Sequence, residues 1–89
     1  MNINDYNIGM KDGILIVTSR KKVTKDDLLE IKILFEESTG HTYRYGTYKD
    51  LLGYYHCYDF EKDYSIYCGS LNESAAIKAI KNYKAKQNE

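Results

Sequence analysis

The side chains able to do covalent or acid–base chemistry are few and crowd the second half of the chain. Cys57 and Cys68 are the two thiols, and His41 and His56 the two imidazoles. A thiol beside an imidazole is the smallest unit of nucleophilic catalysis, because the ring can take up the thiol proton. His56 and Cys57 are sequence neighbours, and adjacent side chains on a strand leave opposite faces, so these two do not pair. His56 meets Cys68 only across a hairpin of suitable register. No third residue suited to orient the ring stands near, so a core-edge histidine beside a small apolar thiol is the plainer reading. The acidic pairs Asp26-Asp27 and Glu36-Glu37 suit helix capping and solvation. There is no glycine-rich phosphate loop and no metal-ligand spacing. The expectation is a protein that is not an enzyme, with no catalytic residue, no metal and no cofactor.

Binding chemistry is richer. The stretch YRYGTYKDLLGYYHCYDFEKDYSIYCG, residues 43–69, holds eight of the ten tyrosines. Tyrosine offers a large contact area at low entropic cost, and its hydroxyl tolerates water when unbound. Tyr43, Arg44, Tyr45, Tyr48, Tyr55 and Tyr67 are the candidate partner-binding residues, since aromatics with arginine make up interface hot spots. The competing reading makes these rings an outer layer of the core. Two basic groups, Arg20, Lys21 and Lys22, then Lys78, Lys81 and Lys84, are the candidate nucleic-acid contacts. Thirteen Lys and Arg balance thirteen Asp and Glu, which argues against both a strongly basic nucleic-acid binder and an acidic DNA mimic.

Those residues must be held by elements legible in the pattern. Asp12-Gly13 between two apolar stretches predicts a hairpin pairing Lys11 with Ile14, Met10 with Leu15 and Ile8 with Val17. Ile14 and Ile16 then face away from Leu15 and Val17 and need a cover. Thr24 and Asp27 form a capping box, and Gly40 is a C-terminal stop, so residues 25–38 read as a helix. Its apolar positions wrap well over half its circumference, which points to burial on more than one side. Thr47 to Asp50 repeats the capping pattern and predicts a short helix ended by Gly53.

A second hairpin follows, with a three-residue loop at Glu61, Lys62 and Asp63. That register gathers Tyr54, His56, Tyr58, Phe60, Tyr64, Ile66 and Cys68 on one inward face, leaving Tyr55, Cys57, Asp59, Ser65 and Tyr67 on the other. An even loop would set Asp59 with Ile66 on one face. The odd register sends the two thiols apart, so no disulfide joins them. Ser70 to Glu73 is a capping box for a last helix with an inner stripe of Ala76, Ile80 and Tyr83. The predicted fold is α+β, a single domain over residues 1–89. Its order is ββα, a short helix, then ββα, an antiparallel sheet of about four strands with two main helices on one face.

The chain is 43% hydrophobic and 29% charged, a globular composition. The opening residues lack a basic, apolar leader, and no run approaches the ~20 apolar residues of a membrane span, so a cytoplasmic location is expected. Zero net charge and an apolar helix make a homodimer an expectation too. The opening MNIND, the small α+β domain and the wording of GTYKDLLGYYHCYDF resemble the small phage and mobile-element proteins that inhibit bacterial defence, anti-CRISPR proteins among them. That group shares no common fold, so no site residue is carried over. The resemblance implies a non-catalytic inhibitor acting in a bacterial host cell by occluding a defence nuclease or effector complex, either protein or ribonucleoprotein. The alternative is a small nucleic-acid-associated regulatory protein using surface tyrosines and lysines.

Overall fold

The computed structural model describes residues 2–87. A 3-10 turn, Ile3–Asp5, leads into β1 (Asn7–Lys11) and β2 (Ile14–Thr18), followed by α1 (Lys25–Thr39) and β3 (Tyr45–Lys49). Then come β4 (Tyr55–Asp59), β5 (Tyr64–Ser70) and α2 (Glu73–Gln87). The first hairpin has the predicted register, with Ile8 opposite Val17 and Lys11 opposite Ile14. Asp12 and Gly13 both take positive φ, 54° and 79°, the turn whose twist matches paired strands. The Thr24–Asp27 capping box forms in both directions, and Gly40 closes α1 in the left-handed region.

Several features differ from expectation. Residues 45–49 are a strand, not the approach to a short helix, and they run parallel to β2. Tyr45, Thr47 and Tyr48 favour a pleated surface, and Asp50 caps a turn instead of a helix: its Oδ1 accepts from the amides of Leu52 at 2.9 Å and Tyr54 at 3.0 Å. The sheet is therefore five-stranded and mixed, in the order β1-β2-β3-β4-β5, with α1 as the crossover between its parallel pair. Gly46 lets β3 pass under α1, because a Cβ there would lie 2.6 Å from Phe60 Cζ and 3.4 Å from Leu28 Cδ1.

The helices also lie on opposite faces. Ile14, Ile16, Tyr45, Cys57 and Ile66 pack with Ala76, Ile77 and Ile80 of α2. Leu15, Val17 and Tyr58 pack with Val23 and with Leu28 and Ile31 of α1. Four consecutive apolar residues, Ile14 to Val17, bury both sides of β2, and such a strand needs a helix on each. α2 thus supplies the cover that Ile14 and Ile16 require. α1 buries one stripe only and leaves Ile33 and Leu34 exposed.

The second hairpin takes the even register: Asp59 faces Tyr64, Tyr58 faces Ser65 and Cys57 faces Ile66, with a bulge between Tyr55 and Cys57. The loop is residues 60–63. The charged Asp59 is inside because its burial is compensated. Its carboxylate accepts from Arg44, from Tyr83 Oη at 2.9 Å and from the amides of Glu61 at 3.0 Å and Lys62 at 3.3 Å. A segregation rule that sends charge outward misses such a network. Finally, α2 is capped by Asn72, whose Oδ1 accepts from Ser74 and Ala75, rather than by Ser70.

Candidate functional site

α2 packs along β5, β4 and β3, whereas α1 packs on the first half of the sheet. The α1 side of β4 and β5 is left open, with His56, Ser65 and Tyr67 exposed on it. A cleft of about 450 Å³ lies there, between the first turn of α1 and the edge strand β5. Its floor is aromatic. Tyr48 and His56 are register partners, and their rings stack at 4.9 Å and 15°. Tyr58 is buried below Lys25, whose Nζ is 5.0 Å from the ring centroid, and the Tyr58 hydroxyl has no hydrogen-bond partner. Buried hydroxyls normally find one.

The β3–β4 turn forms the rim. His56 Nε2 lies 2.7 Å from Asp50 Oδ2. That hydrogen bond, helped by the Tyr54 and Leu52 amides, holds the Asp50 carboxyl below its ordinary range against some desolvation. Asp50 is thus ionised at neutral pH, and the ring nitrogen donates to it. The turn so fixed presents Leu51, Leu52 and Tyr54 to solvent, with Tyr67 of β5 nearby at 91% exposed. Leu71 completes the patch: a Cβ on Gly53 would touch its Cδ2 at 3.5 Å.

The candidate partner residues divide differently from expectation. Tyr43 and Tyr45 are buried, not surface aromatics. Tyr43 packs on Phe35 at 5.4 Å, and Tyr45 lies beneath α2 with its ring nearly perpendicular to that of Tyr83. Arg44 is spent internally on Asp59 and Glu61. Burial pulls the Asp59 carboxyl upward, but the Arg44 and Tyr83 hydrogen bonds outweigh it and leave it below the usual range. Tyr48 and Tyr55 are half-buried, so Tyr67 alone of the six is fully at the surface. Of the rings expected inside, Tyr58 is buried, while Tyr54 is exposed in the turn before β4 and Tyr64 is exposed after the even register turns it to the other face. The two basic groups stand at opposite ends of the first hairpin. Lys21 pairs with Asp5 at 3.2 Å near its start, and Lys81 with Asp12 at 2.6 Å at its tip.

Both thiols belong to the α2 face rather than to opposite faces, and both are free. Cys57 contacts Thr47 Oγ1 and Ala76 O at 3.7 Å, and Cys68 Sγ donates to Tyr55 O at 2.9 Å. Burial, and then the neighbouring Cys68, push the Cys57 thiol far up. His56 sits across the sheet from them, so the His56–Cys68 dyad does not form. Among the described residues, no three His, Cys, Asp or Glu side chains converge as a metal set, and no helix is long and apolar enough to cross a membrane. What the arrangement offers is contact: stacked rings, a buried unpaired hydroxyl and an apolar rim. Asp50, Leu52 and Gly53 could have been found as a turn signature with leucines too apolar for a loop. The Tyr48–His56 stack could not, because it needs the β3–β4 register. Comparisons with protein-family models, curated proteins and solved structures find no match to this chain.

Proposed function

We propose that this chain is a non-catalytic protein-binding module that seats its partner on the β3–β4 turn and the cleft behind it. One observation carries this reading: the β3–β4 turn, whose Asp50 and Tyr54 line the cleft with Tyr67, also holds Leu51 and Leu52, 64% and 80% exposed, with Leu71, 62% exposed, beside its Gly53. Contiguous apolar surface rimmed by polar groups marks interaction sites, and aromatics at its centre supply hot spots. The Asp50 hydrogen bonds pre-order the turn, so little entropy is lost on docking. With the resemblance noted above, the partner is a bacterial defence nuclease or effector complex, met in the host cytoplasm and inhibited by occlusion.

The test is capture from nuclease-treated host lysate by the wild type and by Leu52→Asp and Tyr67→Ala, with Ile33→Ala on α1 as the control. A partner retained by the control and lost by the two rim variants supports the reading, and equal capture by all four rejects it. Stacked rings can also hold unpaired bases. That alternative requires nucleic acid in the untreated capture and affinity that falls steeply with salt.

A further inference from the structure

On the opposite face of the sheet, where α2 crosses the tip of the first hairpin, a second cleft of about 540 Å³ opens. That volume falls within the range of small-ligand sites. Its floor is apolar: Ile14, Ile80 and the ring of Tyr45. Its walls carry three cations, Arg44, Lys81 and Lys84, and a single carboxylate, Asp12. Arg44 is tied to buried Asp59 and to Glu61, and Lys81 to Asp12, whereas Lys84 makes no ion pair among the described residues. Lys81 and Lys84 are three apart on α2 and so stand side by side, as two point charges able to share one anion. Tyr45 meets the cleft as a nearly buried side chain. The residue is 6% exposed, and its hydroxyl is buried without a hydrogen-bond partner.

We infer that this cleft is a binding site for a small organic anion, an apolar or aromatic body carrying a phosphate or carboxylate. The anion lies on Lys84 and Lys81, with Lys81 exchanging Asp12 for it. The body rests on Ile14, Ile80 and the Tyr45 ring. The site faces away from the leucine and tyrosine rim and stands whether or not that rim binds a partner.

Amide chemical-shift titration decides it, with phenyl phosphate, benzoate, inorganic phosphate and phenol compared at constant ionic strength. Saturable shifts at Gly13, Thr42, Tyr45, Lys81 and Lys84 are expected. Phenyl phosphate or benzoate should bind at least about tenfold tighter than inorganic phosphate or phenol, and the stronger of the two fixes the head group. Lys84→Ala and Lys81→Ala should each weaken binding about tenfold, the order of one charge-assisted hydrogen bond. Lys78→Ala, outside this cleft, should leave binding unchanged. No saturable shift, or affinity indifferent to Lys81 and Lys84, overturns the site. So does tight binding of a single-stranded oligonucleotide in which Lys78 matters equally. Partner capture should survive Lys84→Ala, and anion binding should survive Leu52→Asp, so the two readings fail separately.

Discussion

Asp59 shows how much one residue organises. It sits at 0% exposure, ties the β4–β5 loop to itself through two amides, and reaches Arg44 before β3 and Tyr83 on α2. Asp59→Ala removes the acceptor from all of them, and a cost of about 3 kcal/mol at neutral pH is expected from groups left unpaired. The sign with pH follows from its depressed folded value. The stabilisation is full above the unfolded aspartate pKa of about 3.9 and is lost as pH falls through the folded value below it. Urea unfolding at pH 7, and at the lowest pH where the wild type stays folded, should show the gap between wild type and variant shrink in acid. An unchanged gap would mean that the carboxylate charge is not what holds the loop.

At the scale of elements, β3 decides the architecture. Its entry beside β2 makes the sheet mixed, and it needs glycine at position 46 to bring its backbone beneath α1. Gly46→Ala drives a methyl into Phe60 and should cost about 1–3 kcal/mol, as overpacking does. Gly9→Ala on β1, where nothing lies within 4 Å, should be neutral or slightly stabilising. Thermal melts of the two variants check the contrast, and equal losses would place the strain elsewhere. The second hairpin carries a similar lesson. Its register follows the hydrogen bonds of Asp59, not the segregation of apolar from polar residues, and that one-residue difference turns Tyr64 to the α2 side, where it stacks on Tyr83.

Across the whole molecule, apolar surface is unevenly placed. α2 covers Ile14 and Ile16, which removes one reason to expect a dimer. Ile33 and Leu34 of α1 and the leucines of the β3–β4 turn remain exposed, on a chain of zero net charge. Self-association through the turn is the expected consequence in the absence of a partner. Sedimentation at micromolar concentration should show it for the wild type and not for Leu52→Asp. A wild type that stays monomeric would refute this.

The local sequence by itself determined the first hairpin and its register, the caps of α1, the inner stripe of α2 and the α+β class. Each depends on residues within a few positions of one another: Asp12-Gly13, Thr24 with Asp27, and the spacing of Ala76, Ile80 and Tyr83. Only the tertiary structure decided that Thr47 to Asp50 closes a strand, that the helices take opposite faces, and which rings meet solvent. Those outcomes hang on long-range partners. β3 is a strand because β2 and β4 lie on either side of it, and Asp59 is buried because Arg44 and Tyr83 arrive from distant parts of the chain. The two clefts have the same origin, since each is walled by elements far apart in sequence that meet only once the five strands are in order.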